Sequence, residues 1–233
     1  MKYGERWLLP DGVDEVLPPH AEPLEQLRRD VLDLFTSWGY QLVLPPLVEF
    51  LESLHSGNGE DLELQTFKIT DQVTGRLMGI RADITPQVAR IDAHRLPTDL
   101  PQRLCYVGPV LHTRPDKFAG SRNPLQVGAE LYGHAGIESD AEVLCLMADV
   151  LKLAGLHSVT IELGHMGVFK ALVEAAELDH QAADKLLDAL LRKATDEVVE
   201  CLNENDVAPV TADLILGLLQ LNGGVGVVAE AKQ

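Results

Sequence analysis

The sequence predicts an α+β fold in which helices flank an antiparallel sheet. Residues 104–111 and 125–131 are two apolar stretches separated by a polar loop, the pattern of two antiparallel strands. Residues 24–38 carry apolar side chains at steps of three and four, which indicates an amphipathic helix. With 233 residues, 46% of them hydrophobic, the chain is long enough to form a substantial core.

The charge and the cysteines limit the classes of function. Nineteen basic and thirty-six acidic residues give a net charge of −17, which opposes non-specific binding to nucleic acids, tRNA included, and favours a basic partner surface. Cys105, Cys145 and Cys201 lack the spacing of metal ligands and indicate a reducing compartment. Because we find neither an eighteen-residue apolar run nor a signal peptide, we expect a cytoplasmic protein, and we expect no metal or cofactor.

The N-terminal third predicts a helix, a short strand, a further helix and a hairpin. Gly39 follows the amphipathic stripe at the position of a C′ glycine, and residues 40–44 form a short β-type run before two prolines. A helix-like segment is predicted over residues 46–54. The hairpin is predicted over residues 66–81, with its turn at residues 72–75.

Asp83 lies at the end of this hairpin, just before the next predicted helix. Thr85 is suited to the N-cap of that helix and Pro86 to its first position. A carboxylate at position 83 has two possible roles: it can receive the ammonium group of a ligand, or it can satisfy backbone donors at the helix start.

The second strand of the central pair carries two different rows of side chains. One row is apolar, and Gln126, Gly128, Glu130 and Tyr132 form the other. In a sheet covered on one face, the polar row is expected to point away from the hydrophobic layer. Such a surface beside a basic loop, residues 113–123, suits a small zwitterion; the alternative is an ordinary solvated face.

The rest of the chain is predicted to be largely helical. Residues 139–142 read as a capping box that opens a helix, and residues 158–163 as a strand. His165 is expected to cap or pack at the start of the next helix. Residues 168–222 are amphipathic, with a leucine stripe over residues 186–191, and form either a small helical subdomain or a partner-binding insertion.

Three sequence runs resemble the histidyl branch of the class II aminoacyl-tRNA synthetases. Residues 106–109 (YVGP) and 126–130 (QVGAE) resemble its motif 2, here about residues 103–136, and residues 81–86 (RADITP) resemble its amino-group-binding segment. The resemblance implies the class II synthetase-like catalytic-domain fold over residues 1–165. Residues 166–233 then form a helical insertion-type subdomain. Residues 24–46 resemble motif 1, which implies self-association.

The same resemblance implies a histidine-binding site. Asp83 and Thr85 match the residues that hold the α-amino group, and Gln126 and Glu130 match other contacts to histidine. His112, also in the candidate site, stands where the synthetases have an arginine that grips the ATP α-phosphate and the amino-acid carboxylate. Arg114 replaces their nucleotide-binding glutamate, although a one-residue shift of the loop would bring Arg114 closer to the arginine's position. Amino-acid activation is therefore expected to be lost.

Residues 81–86, 111–116 and 126–133 are more similar to one subfamily, the regulatory subunits of ATP phosphoribosyltransferase. This resemblance implies a non-catalytic protein of histidine biosynthesis that joins a short-form catalytic subunit in a hetero-octamer and takes part in feedback inhibition by histidine. A third synthetase motif is not found before Gln233, so we expect the chain to be the N-terminal part of a longer protein. Two alternatives stay open: a histidyl-tRNA synthetase, and a free-standing histidine-binding scaffold.

Overall fold

The computed structural model describes residues 7–54, 60–96, 98–115, 120–224 and 226–230. The chain divides into two compact units, Met1–Val159 and Thr160–Gln233. The division falls shortly before the boundary that the sequence predicts at residue 165. In the part of the chain that the structure describes, each helix is too short or too polar to cross a membrane.

The first unit begins with the predicted amphipathic helix. Helix α1 spans Ala21–Ser37 and buries Val31 and Phe35. Gly39 follows with φ of +85°, a left-handed conformation in which glycine is favoured, so the C′ glycine prediction is confirmed. The chain then enters the short strand β1, Gln41–Leu42.

A small antiparallel sheet comes next, formed by β2 (Val48–Phe50), β3 (Phe67–Thr70) and β4 (Leu77–Ile80), in the order β2-β4-β3. The predicted hairpin is confirmed as β3 and β4. The helix predicted over residues 46–54 is wrong for most of its length. Val48–Phe50 pairs with β4, because the adjacent strand offers backbone partners that a local helix pattern does not reveal, and only Leu51–Leu54 forms a helix, α2. Helix α3, Glu60–Gln65, precedes β3.

The central sheet contains β5 (Gln102–Pro109) and β6 (Leu125–Tyr132), which pair antiparallel over their whole length as predicted. β1 joins the other edge of β5 in parallel. Of the polar loop between β5 and β6, residues 116–119 lie outside the described residues.

Both faces of this sheet are covered. One packs against α1 and α5 (Ile137–Leu153), through a cluster that includes Phe35, Cys105 and Leu146. The other packs against α4 (Thr85–Arg95) and the turn before it. The buried residues of this second cluster are Ile84, Val88, Leu104, Tyr106 and Val110.

The two rows of β6 lie on opposite faces as predicted, but the expectation of only one covered face is wrong. Tyr132 packs with the second cluster, so the polar row faces α4 rather than away from apolar side chains. Leu125 and Val127, from the apolar row, are 41% and 43% exposed, whereas Ala129 packs on the α1 side. Helix α4 covers the face that carries the polar row, so the alternative of an ordinary solvated face does not hold.

Two predicted helix caps are also wrong. Ile84, not Thr85, precedes α4, and Thr85 and Pro86 are the first two helical residues. Helix α5 begins after Gly136 without a side-chain cap. Glu142 of the expected capping box instead contacts Arg103 of β5, with N–O distances of 2.6 and 2.7 Å, because the folded sheet brings a cation to it.

The second unit is helical, and the strand predicted over residues 158–163 is absent: these described residues are exposed and lie in neither helix nor strand. His165 accepts a hydrogen bond from the Gly167 N–H, confirming its capping role. Leu186 is buried, but Leu191 of the same leucine stripe is 75% exposed. The helices are α6 (Met166–Ala175), α7 (His180–Leu191), α8 (Thr195–Glu204), α9 (Pro209–Leu218) and α10 (Val227–Glu230).

Candidate functional site

The candidate site lies where the segment between β4 and α4 crosses the polar row of β6. Arg81, only 5% exposed, anchors the start of this segment. Its Nε donates to the Pro109 carbonyl at 2.9 Å and its Nη1 to the Pro45 carbonyl at 2.8 Å. Burial lowers the pKa of this guanidinium. Arg81 therefore joins three chain segments, and its hydrogen-bonding capacity is largely used within the protein.

Asp83 and Gln126 are in direct contact. Gln126 Nε2 donates to Asp83 Oδ1 at 2.6 Å, and the Ile84 N–H donates to Gln126 Oε1 at 2.9 Å. Asp83 Oδ1 also accepts the Thr85 N–H at 3.0 Å. The carboxylate thus accepts a backbone hydrogen bond at the start of α4, which is one of the two roles considered for it. Asp83 Oδ2 has no hydrogen-bond partner among the described residues.

Thr85 reaches the same site through Tyr106. The Thr85 hydroxyl and the Tyr106 hydroxyl are 2.9 Å apart, and either can be the donor. Tyr106 is 4% exposed, and burial raises the pKa of its phenol. A buried hydroxyl of this kind stays protonated at neutral pH and fixes the Thr85 side chain.

Glu130 lies on the same face of the sheet. Its Oε2 accepts a hydrogen bond from the Tyr132 hydroxyl, whereas its Oε1 is buried and lacks a hydrogen-bond partner in the described part of the chain. Burial is the main cause that raises the pKa of Glu130. The Thr85 and Tyr106 hydroxyls also interact with this carboxylate and oppose the rise of its pKa. A ligand N–H at Oε1 would therefore join a group of hydroxyls that already faces Glu130.

His112 lies at the border of this group. Its Nε2 is 2.9 Å from the Ala82 carbonyl, one residue before Asp83. Its backbone N–H donates to the Arg122 carbonyl at 2.7 Å, and Arg122 Nε returns a hydrogen bond to the His112 carbonyl at 3.0 Å. These hydrogen bonds join His112, after β5, to Arg122, before β6. Arg114, in the loop between them, is exposed.

All five candidate residues thus belong to one connected region, although His112 reaches it through the backbone of Ala82. The two carboxylates, Asp83 and Glu130, suit a small ligand that carries a positive charge and N–H donors. Among the described residues, there is no cluster of three or more His, Cys, Asp or Glu side chains that could hold a metal ion.

Three residues of this region were not in the predicted site: Tyr106, Gly128 and Tyr132. Tyr106 and Gly128 face each other across β5 and β6, and the glycine leaves the space in which the tyrosine ring lies. The sequence contained a signal for this pair, because a glycine within a strand often marks the close approach of another group. Tyr132 and Gly128 already stand in the polar row that the sequence predicts, but the contact of Tyr132 with Glu130 is visible only in the structure.

Comparison with known proteins gives consistent matches. The profile of the Histidyl-tRNA synthetase family matches residues 12–233. The chain is 54% identical to an ATP phosphoribosyltransferase regulatory subunit from Alkalilimnicola ehrlichii, over 98% of this chain and 59% of that protein. It is 53% identical to one from Thioalkalivibrio sulfidiphilus, over 100% of this chain and 59% of that protein. The chain therefore spans about three fifths of the length of these relatives.

A solved structure gives the same relationship in three dimensions. The ATP phosphoribosyltransferase regulatory subunit/histidyl-tRNA synthetase from Bacillus halodurans superposes with a TM-score of 0.83 at 28% identity, over 97% of this chain and 58% of that one. The predicted class II synthetase-like fold is confirmed by this match. The relatives and the family profile together show that the chain belongs to the histidyl-tRNA synthetase family, among relatives named as regulatory subunits of ATP phosphoribosyltransferase.

Proposed function

We propose that this protein acts as the regulatory subunit of ATP phosphoribosyltransferase, the first enzyme of histidine biosynthesis. It activates a short-form catalytic subunit and takes part in feedback inhibition by histidine, and it does not itself catalyse a reaction. One observation carries the proposal: Asp83 and Glu130 converge on one region, while His112, in the place of the synthetases' activating arginine, is held by the Ala82 carbonyl.

Histidine is the proposed ligand of this region. Its α-ammonium group would bind to Asp83 and Thr85, and Glu130 Oε1 would accept an imidazole N–H. This assignment is supported by Asp83 Oδ2, which has no hydrogen-bond donor among the described residues, and by the buried Glu130 carboxylate, which faces the Thr85 and Tyr106 hydroxyls. His112 forms the border of the site.

Feedback requires two states of the complex. Histidine can shift the catalytic subunit from an active to an inhibited state only if it binds the inhibited state more tightly. The segment from Arg81 to Thr85 is a suitable element, because a ligand on Asp83 would act on a segment that is hydrogen-bonded to both β5 and β6.

Self-association through residues 24–46 is part of the proposal, as is assembly with the catalytic subunit into a hetero-octamer. Leu42 and Leu44 in this region are 48% and 78% exposed, which supports an interface there. We place the complex in the cytoplasm, consistent with three free cysteines.

Histidyl-tRNA synthetase activity is not favoured. The relatives at 53% and 54% identity are named as regulatory subunits, and a net charge of −17 opposes tRNA binding.

The test is reconstitution with a short-form catalytic subunit. Formation of phosphoribosyl-ATP is measured with and without this protein and with and without histidine, using the Alkalilimnicola ehrlichii relative as the positive control. We expect a rate that depends on this protein and is suppressed by histidine. If the relative activates the catalytic subunit and this protein does not, even when extended by the remaining part of the relative, the regulatory proposal is wrong.

A further inference from the structure

We propose that residues 10–14 form a strap that controls, through Arg122, how firmly His112 is held. The strap lies near the N-terminus and contributes no residue to the proposed histidine site, so it is a conformational device added to that site from outside. The inference rests on the proposed function only in its last step, the effect of the strap on histidine binding.

The strap begins with a tight turn. The Val13 N–H donates to the Pro10 carbonyl at 3.0 Å, and Gly12 has a φ of +74°. Glycine suits the third position of such a turn because it adopts the left-handed conformation at little cost. A Cβ at position 12 would also lie 3.1 Å from both Cγ and Cδ of Arg122. The glycine therefore lets the strap lie directly against the Arg122 side chain.

Four hydrogen bonds attach the strap to the segment just before β6. The Gly12 carbonyl accepts the Arg122 N–H at 2.5 Å, and the Asp11 carbonyl accepts Arg122 Nη1 at 3.1 Å. The Asn123 side chain makes the other two: its Oδ1 accepts the Asp14 N–H and its Nδ2 donates to the Asp14 carbonyl, each at 2.9 Å. The strap is thus held mainly by backbone groups and by two side chains more than a hundred positions away.

Arg122 in turn supplies partners for both backbone groups of His112. Its carbonyl accepts the His112 N–H at 2.7 Å, and its Nε donates to the His112 carbonyl at 3.0 Å. One guanidinium therefore bridges the carbonyls of Asp11 and His112. Because the guanidinium is planar and its donors are fixed relative to one another, a shift of the strap moves the donor that holds His112.

The strap is suited to open separately from the rest of the fold. Pro10, Asp11 and Asp14 are exposed. An exposed segment that is held mainly by hydrogen bonds opens at a lower free energy than the core of the sheet does. Opening of the strap would thus loosen His112 while β5 and β6 stay paired.

The first test is amide hydrogen exchange, followed by NMR on the whole chain without ligand, in Gly12→Val and Gly75→Val. Gly75 is the matched control, because its φ is +73° and no described neighbour lies within 4 Å of its Cβ position. Both substitutions strain a left-handed turn, but only Gly12→Val displaces Arg122. We expect exchange at the His112 N–H to accelerate about tenfold in Gly12→Val and to stay unchanged in Gly75→Val.

Asn123→Asp opens the strap from its other end with almost no change in volume. The variant keeps an oxygen for the Asp14 N–H but cannot donate to the Asp14 carbonyl. We expect the same acceleration at His112. If exchange at the His112 N–H is unchanged in both Gly12→Val and Asn123→Asp, the inference is wrong.

Arg122→Lys tests whether the arginine side chain carries the effect. Lysine keeps the charge but cannot bridge the two carbonyls. We expect faster exchange at His112 in this variant, and little further acceleration when Gly12→Val is added to it. Independent, multiplicative effects of the two substitutions would show that the strap does not act through Arg122.

The last step is histidine binding, measured by titration calorimetry. Because linkage is reciprocal, a strap that stabilises the binding-competent site must itself be stabilised by the ligand. We expect Gly12→Val to bind histidine at least about fivefold more weakly than Gly75→Val. Equal affinities of these two variants would overturn the link to the site. If the unmodified protein does not bind histidine, the proposed ligand is wrong, and the ligand-free exchange rates still test the strap.

Discussion

Gly128 lies directly opposite Tyr106 in the β5–β6 pair, and a Cβ at position 128 would be 2.2 Å from Cζ of the tyrosine ring. The ring therefore occupies the space above the glycine, and its hydroxyl reaches Thr85 at 2.9 Å. The space left by Gly128 therefore allows Tyr106 to reach Thr85 and to hold the start of α4 against the sheet.

Gly128→Ala is expected to displace the Tyr106 ring and to destabilise the protein by about 1–3 kcal/mol, the usual cost of overpacking. Gly217→Ala is the matched control, because Gly217 lies in α9 with open space around its Cβ position. We expect the control to stabilise the protein by about 0.5–1 kcal/mol. Urea unfolding measures both variants, and equal stability of Gly128→Ala and the unmodified protein would contradict the steric argument.

Glu130→Gln is expected to raise stability at neutral pH while weakening histidine binding. Burial raises the pKa of Glu130 above its unfolded value, so its contribution to stability is present at low pH and is lost as pH rises through the folded pKa. Glutamine remains uncharged and removes this dependence. Its affinity for histidine is expected to fall at least about tenfold, because a charged acceptor is lost.

The check is the free energy of unfolding of both proteins between roughly pH 4 and pH 8, a range that begins near the ordinary glutamate pKa. The difference in stability between Glu130→Gln and the unmodified protein is expected to increase with pH. A constant difference over this range would show that Glu130 does not carry the pH dependence.

Glu142→Gln tests the ion pair that replaced the predicted capping box. Hydrogen bonds from Arg103 lower the pKa of Glu142, so the pair stabilises the fold above the unfolded pKa and its contribution is lost as pH falls through the folded pKa. At pH 7 the variant is expected to lose about 1 kcal/mol, and this loss should shrink below about pH 4.

The control for this variant is Lys152→Met, which breaks the exposed pair between Lys152 and Asp149. An exposed pair of this kind contributes only a few tenths of a kcal/mol. The two variants are compared by thermal unfolding at pH 7 and at a pH below about 4. If Glu142→Gln behaves like the control at pH 7, the contact with Arg103 does not stabilise the sheet.

Arg81→Lys is expected to destabilise the protein by roughly 2–4 kcal/mol, although it keeps the charge. Lysine cannot reproduce the planar fork that reaches the Pro109 and Pro45 carbonyls together, and a buried acceptor would lose its donor. Arg114→Ala, at an exposed position, should change stability by less than about 0.5 kcal/mol. Denaturant unfolding measures both, and similar midpoints would show that Arg81 is not an anchor.

Much of the first unit could be predicted from local patterns. The stripe of α1, the glycine after it and the alternation in β5 and β6 each depend on residues a few positions apart, and each was found. The candidate residues of the site came from family resemblance, because the hydrogen bond between Gln126 and Asp83 joins residues 43 positions apart.

Local patterns in the sequence are sufficient to predict α1 and the β5–β6 pair, because helix and strand periodicity are local properties. The partner of each polar side chain depends instead on contacts between distant segments. Glu142 contacts Arg103 rather than the start of its own helix, and Thr85 contacts Tyr106 rather than serving as an N-cap. A local cap and a tertiary hydrogen bond each contribute about 1 kcal/mol, so the choice between them depends on which groups the folded sheet brings within reach.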